Sequence, residues 1–340
     1  MSIPLHIASY WLRKRIQHVI LHVTDRCNLR CQHCFVDLTQ KNTLSQEKAE
    51  ELATDLGKIL WLDIGGGEPF MLDELAELVA PFNCEVLGIP TNGHYPGKTA
   101  ATTESLLSAT PAREVVISVS IEGFREEHTE IRGHKHSYDK AFETLHLLRE
   151  LAADHPRLRV KCNTVITNKN ADRLIEFMEH MRGTGLIDFH SIIMLRGDPY
   201  KPEIELPYLS ALKELRPDIF KILDSYLWGS GRLKRSFLRR YYRFLWDVSL
   251  GNLEQQTQVI PCTGGQTHLV IWANGDVASC ELLPPFGNVH QNRLPDILAG
   301  RARHEQVAMI KRKECSCTHN CVMLDSILFN PLSYPKLLVR

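Results

Sequence analysis

The chain lacks a charge of either sign in excess: Lys and Arg number 40, and Asp and Glu also number 40. A general nucleic-acid binder is usually basic, so no nucleic-acid partner is expected. No apolar run reaches the length of a membrane span. The first residues lack the cationic start and long apolar stretch of a secretory signal, so the expected compartment is the cytoplasm. Without an export signal the ten cysteines make a poor disulfide framework. Metal binding in a reducing compartment suits them better. What is present is ordinary in bulk: 340 residues, 44% hydrophobic, enough for one large domain with a smaller one beside it.

The cysteines are not evenly spread. Cys27-Asn-Leu-Arg-Cys31-Gln-His-Cys34 places three in eight residues, spaced C-x3-C-x2-C. Thiolates are strong iron ligands, and a [4Fe–4S] cluster normally takes four of them. Three at this spacing would hold three corners and leave the fourth iron open to a small molecule. The run follows an apolar, β-branched segment at 18–23 that reads as a strand. The loop therefore lies at the carboxyl end of a first strand, where α/β proteins place their chemistry. Zinc and scattered buried thiols are the competing readings. Structural zinc usually takes four Cys or His ligands, often as two separated pairs, and His33 lies awkwardly between two of the cysteines.

Residues 1–16 form a short lead-in. After it, strand candidates at 18–23, 59–64, 84–90, 113–121, 158–166 and 186–195 alternate with helical patterns at 45–57, 71–81, 99–109, 137–153 and 171–182. Ser45 and Gly57 mark the ends of the first helix. Asn170 or Asp172 opens the last, and Gly183 closes it. This alternation predicts a parallel sheet with right-handed crossovers. Six units predict an α/β fold, a partial (β/α)6 TIM-type barrel over residues 17–200. The second strand runs into Gly65-Gly-Gly-Glu68-Pro69. Glycines at a strand end let a ligand approach the backbone, and a carboxylate there binds an ammonium group. Pro69 suits the first turn of a helix. A plain tight turn is the competing reading.

The cysteine triplet and the GGEP run together resemble the radical S-adenosylmethionine superfamily. The resemblance covers roughly residues 17–200. It implies that Cys27, Cys31 and Cys34 hold a [4Fe–4S] cluster whose open iron binds S-adenosylmethionine. It places Gly66, Gly67, Glu68 and Pro69 on the methionine end and His33 near the adenine. Thr91-Asn92-Gly93 resembles the family's TNG turn. Ser118, Ser120 and Glu122 are similar to its S-x-D-G segment, with glutamate where aspartate is commoner. Arg132 resembles the arginine that follows. Asn163 and Leu195 fall where the family touches the cofactor, although an ordinary loop role fits them as well.

Residues 201–255 read as a linker followed by a helical stretch. The part at 232–246 is strongly basic and aromatic. It reads first as an amphipathic helix with buried aromatics and solvated arginines. A substrate-phosphate site and peripheral membrane contact are the alternatives. Cys262, Gly275 and Cys280 open a second constellation, with a hairpin between them that turns at 273–276. Cys315, Cys317 and Cys321 follow. Residues 256–325 thus resemble the SPASM/twitch extension of the superfamily, a small cysteine-rich domain. Five cysteines suit one auxiliary [4Fe–4S] cluster. Cys262, Cys280, Cys317 and Cys321 are the expected ligands, with Cys315 as the spare or as a substitute for Cys317. A zinc staple is the competing reading. Cys84 and Cys162 stand alone in strands and read as core thiols. Residues 326–340 read as a tail.

The resemblance implies an enzyme. Reductive cleavage of S-adenosylmethionine would give a 5′-deoxyadenosyl radical that takes hydrogen from a substrate, with electrons from a donor such as flavodoxin or ferredoxin. The lead-in is too short for a leader-binding domain, which favours a small molecule, lipid or sugar intermediate over a peptide. His190, Arg196 and the basic helix are the first places to look for substrate contacts. A peptide maturase is the alternative, and a non-catalytic iron–sulfur or zinc scaffold is the alternative of another class.

Overall fold

Six parallel strands stand where the apolar runs place them in the computed structural model, which describes residues 3–226 and 231–339. They are β1 His18–Thr24, β2 Lys58–Gly66, β3 Asn83–Thr91, β4 Glu114–Ser120, β5 Leu158–Ile166 and β6 Phe189–Met194. The connecting helices are α2 Gln46–Leu56, α3 Leu75–Val79, α4 Pro96–Ala109, α5 Arg125–Arg132, α6 Ser137–Asp154 and α7 Leu174–Thr184, with α1 Ile3–Arg13 before them all. Ser45 caps α2 by accepting from Lys48 N at 3.2 Å, and Gly57 closes it. α3 is shorter than the 71–81 pattern because Glu68 starts a separate 3-10 turn at Pro69–Met71. α7 ends at Gly185, in the left-handed region, not at Gly183.

The sheet order is β6-β5-β4-β3-β2-β1-β7-β8-β9, so the barrel is open. The last three strands, β7 His268–Ile271, β8 Asp276–Ala278 and β9 Gly287–Asn288, include the expected hairpin. That hairpin is no separate layer. β7 lies parallel to β1, with His18 opposite His268, and carries the main sheet onward. The boundary expected at 256 therefore does not divide the sheet. The reason is physical: the second edge of β1 carries unpaired backbone groups that need partners.

Alternate residues of the strands face two environments. Val19, Leu21 and Val23 join the core under the outer helices, with Cys84 and Cys162 among the buried residues there. The other face holds His18, His22, Asp63, Lys161 and Asn163, set among apolar neighbours. Parallel strands covered on both sides are usually apolar throughout, so this polar inner face marks a cavity.

The remaining helices follow β6 and the last strands, and several of them pack at the open side. They are α8 Leu209–Leu223, α9 Arg232–Gln255, α10 Leu294–Ala299, α11 Arg301–Lys311, α12 Asn320–Leu328 and α13 Tyr334–Val339. Phe189 and Met194 of β6, Tyr242 and Trp246 of α9 and Asn320 of α12 line one enclosed space there. The lead-in and the tail are both helical and meet each other: Tyr10 of α1 packs edge-on to Phe329, with ring centroids 5.3 Å apart.

Candidate active site

The cysteine loop rests directly on the end of β2. Gly67 N donates to Thr24 O at 2.7 Å, and Glu68 N donates to Arg26 O at 2.9 Å. A Cβ at Gly67 would meet Arg26 O at 2.0 Å, and one at Gly66, whose φ is 116°, would meet Thr24 O at 2.2 Å. The glycines are thus required by the loop's own backbone, before any ligand is considered. Burial pushes the Cys27 thiol up to about 11, against a hydrogen bond from Leu29 N to its sulfur.

Arg132, the last residue of α5, is buried beside the loop. Its Nη1 donates to Cys31 Sγ at 3.4 Å, and its Nη2 pairs with Glu122. Glu122 also accepts from Val165 N at 2.8 Å, and His33 Nε2 lies 3.8 Å from it. Glutamate in this position is therefore committed to holding the arginine and the end of β5. Burial lowers His33 to about 4, so its imidazole is neutral near pH 7.

Glu68 is buried with both oxygens engaged. Oε1 accepts from Thr91 Oγ1 at 2.8 Å and from Phe70 N at 3.3 Å, while Oε2 accepts from Asn92 N at 2.7 Å. Three of its four acceptor positions are used. Burial pushes its pKa up to about 7, against those donors. Asn92 Nδ2 reaches back to Asn28 Oδ1 at 2.8 Å, which ties the Thr91–Gly93 turn to the cysteine loop. Pro69 is buried in the 3-10 turn. Ser118, Ser120 and Asn163 lie on the inner faces of β4 and β5, and Asn163 Oδ1 is buried without a partner. Leu195 O is taken by Thr318 Oγ1 at 3.2 Å, at the seam with the carboxyl-terminal segment.

Three thiols on one seated loop, an arginine aimed at a sulfur, and an orphaned amide oxygen facing the same space fit a three-ligand iron–sulfur cluster with a polar small molecule beside it.

His190 does not reach the cavity. It is buried on the helix side, bonded to Thr164 Oγ1 at 2.8 Å and packed against Phe177. Arg196 is a latch: it pairs with Glu281 at 2.9 Å and lies over the Phe35 ring. Glu281 also meets His22 Nε2 at 3.1 Å and His319 Nε2 at 2.6 Å. Deeper in the barrel, His18 bridges Asp63 at 3.0 Å and Asp325 at 2.9 Å, and Asp325 also holds His268 at 3.1 Å. Sequence reasoning passed over this network. Its signal was His18 and His22 on alternate positions of an apolar strand, with Asp63 on the next.

Among the late cysteines the structure places Cys315, the expected spare, beside the others. Cys262, Cys315 and Cys317 line one small cavity with Met323 and Ser326. Cys280 belongs with them: burial pushes it up to about 12, and the neighbouring Cys317, Cys262 and Cys315 thiols add to that. Cys321, in the first turn of α12, is half-buried, with Asp63, Arg196 and Glu281 among its charged neighbours, and Arg196 also neighbours Cys317. Cys315 is thus grouped with Cys262, Cys280 and Cys317, and Cys321 lies beside Arg196, as Cys317 does.

α9 buries Tyr241, Phe244, Leu245 and Trp246. Arg232, Arg235, Arg239, Arg240 and Arg243 line an outward cleft together with Asp224, which pairs with Arg243. No described helix is long and apolar enough to cross a membrane.

Comparison with known proteins gives two family matches: the radical SAM superfamily over residues 21–181, and the SPASM iron–sulfur cluster-binding domain over residues 262–322. Fe-coproporphyrin III synthase of Methanosarcina barkeri is 32% identical over 159 residues, 44% of this chain and 38% of the synthase. The antilisterial bacteriocin subtilosin biosynthesis protein AlbA of Bacillus subtilis is 27% identical over 177 residues, 49% of this chain and 37% of AlbA. The chain thus spans well under half the length of these two curated relatives. Among solved structures, anSMEcpe with bound AdoMet and the Kp18Cys peptide superposes with a TM-score of 0.62 at 15% identity, covering 95% of this chain and 98% of that one. At that identity the likeness concerns the fold.

Proposed function

The chain belongs to the radical SAM superfamily, and from that premise we propose that it is an iron–sulfur enzyme that removes a hydrogen atom from a small-molecule, lipid or sugar substrate held inside the open barrel. The observation that carries this reading is the seating of the Cys27–Cys34 loop on Gly66 and Gly67, with Arg132 directed at Cys31. When bound, the cluster and S-adenosylmethionine would supply a 5′-deoxyadenosyl radical, and a second cluster would supply a place for the electron left on the substrate.

The chain's own residues then have distinct parts. Cys27, Cys31 and Cys34 hold the first cluster. Glu68, through its remaining acceptor position, and the backbone near Gly66 and Gly67 receive the ammonium end of the cofactor. Ser118, Ser120 and Asn163 offer polar contacts along its length, and neutral His33 packs against its ring. Glu122 keeps Arg132 in place. Cys262, Cys280, Cys315 and Cys317 are the ligand set for the second cluster. The substrate and a reductant, flavodoxin or ferredoxin, are the partners, in the cytoplasm. The relationship to AlbA, a bacteriocin biosynthesis protein, favours a peptide as the second reading of the substrate.

The test is anaerobic reconstitution followed by iron and sulfide counts and assay of 5′-deoxyadenosine with dithionite. The wild type should hold about eight irons and the triple variant Cys27→Ala/Cys31→Ala/Cys34→Ala about four, with 5′-deoxyadenosine from the wild type alone. A fully loaded wild type that makes none, with or without candidate substrates, would move the chain to a non-catalytic iron–sulfur protein.

A further inference from the structure

Lys161 occupies an unusual place for an ammonium group. It sits in β5 between Val160 and Cys162, which face the outer core, so its own side chain points into the barrel. Across the register it lies beside Ser118 of β4 and Phe189 of β6. Among the described residues its ammonium makes no hydrogen bond and no ion pair. The titratable groups nearest it are Asp63 from β2 and the thiols of Cys321 from α12 and Cys162 on its own strand, and burial lowers its pKa against them.

Asp63 comes from the facing wall. Its Oδ2 meets His18 Nε2 at 3.0 Å, and its side chain remains 26% exposed to the cavity. Its Oδ1 lies where a side chain at position 88 would stand: a Cβ on Gly88 would be 2.0 Å from that oxygen. The missing side chain at Gly88 gives the carboxylate its room. An ammonium and a carboxylate therefore lie near each other on the inner face of the sheet without closing into an ion pair. A half-buried ammonium on the inner face, with no hydrogen-bonding counterion, leaves room for a ligand group.

We propose that Lys161 is a substrate-recognition residue, and that the barrel interior takes a substrate bearing an anionic oxygen group, a carboxylate or a phosphate ester, seated on Lys161 opposite Asp63. The placement supports this. Lys161 lies two residues before Asn163 on the same inner face of β5, about 6–7 Å deeper along the strand. A molecule anchored there by its anionic end extends towards the cysteine loop, and a carbon a few bonds from the anion comes to lie under the cofactor position. The inference rests on the proposed radical SAM reading for the chemistry, but the anion site can be read without it.

The experiment is isothermal titration calorimetry on the reconstituted protein with S-adenosylmethionine present. The probes are succinate, glucose 6-phosphate and an N-acetyl glutamate amide that represents an acidic peptide side chain. Succinamide and glucose are the uncharged controls. At least one anion should bind the wild type and its uncharged control should not. Lys161→Met should weaken that anion by about tenfold to a hundredfold, the range for a charged hydrogen bond, while Lys161→Arg should keep most of the affinity. Circular dichroism and iron content establish that each variant is folded. Absence of binding by all three anions, or equal affinity in wild type and Lys161→Met, overturns the proposal. Failure of the wild type to cleave S-adenosylmethionine, with anion binding intact, would instead count against the radical reading alone.

Discussion

Arg132 Nη1 lies 3.4 Å from Cys31 Sγ while the other end of the same guanidinium holds Glu122. One side chain thus joins a sulfur of the cysteine loop to the floor of the site, and all three groups are buried. Hydrogen bonds to cluster sulfurs raise the reduction potential. Arg132→Met should lower the potential of the first cluster by on the order of tens of millivolts. Redox titration followed by electron paramagnetic resonance would measure it. The same variant strands Glu122 and should lose about 3–5 kcal/mol of stability. Arg132→Met/Glu122→Gln should recover part of that stability without restoring the potential.

The glycines at the end of β2 give a second prediction. In Gly67→Ala the new methyl would meet Arg26 O at 2.0 Å, which is backbone and cannot swing aside. The loop must lift. Iron should fall from about eight to about four per chain, with the loss confined to the first site. An alanine variant that keeps full iron would show that the loop has slack absent from this structure.

The division among the late cysteines gives a third. Cys315→Ser should empty the second site and leave about four irons, whereas Cys321→Ser should keep about eight. The reverse result would return Cys321 to the ligand set and place Cys315 outside it.

The His18–Asp325 pair gives a fourth, with a definite pH window. Burial disfavours the His18 charge, but Asp325 and Asp63 outweigh it and raise the group to about 10, from an ordinary 6.5. A raised folded-state value means that the stabilisation is complete below about 6.5 and is lost as pH climbs towards 10. Asp325→Asn should therefore be destabilised by on the order of 3 kcal/mol near pH 6, as expected when one partner of a buried pair is removed. The gap between variant and wild type should narrow steadily up to pH 10 in thermal denaturation. A constant gap would mean that His18 is uncharged.

These cases show where the chain was legible. The cysteine triplet and the GGEP run were readable because their geometry is local: a few residues at a strand end fix both spacing and direction. The six strands were readable for the same reason. α5 was missed because its eight residues are almost all polar and carry no apolar face except Ile131, although this helix delivers Arg132. His18 and Asp63 were hidden inside apolar strands. Polar residues on alternate positions acquire meaning only when the inner face opens on a cavity, and that depends on the whole sheet. The expected set of Cys262, Cys280, Cys317 and Cys321, with Cys315 as the spare, followed from the SPASM/twitch resemblance. Which of the late thiols line one cavity depends on how the loop before α12 folds against Cys262, and no spacing rule reports that.

The pairing of β1 with β7 also bears on synthesis. The two strands are about 250 residues apart in sequence, and His18 waits for His268. At ribosomal rates of about 5–20 residues per second, that is on the order of 10–50 s during which one flank of a central strand has no native neighbour. For that interval the nascent protein carries an open, sticky margin of the kind that pairs with foreign strands. The last quarter of the chain then acts as an internal chaperone for the first: its arrival seals the margin and, with Asp325 reaching His18, locks the barrel's interior.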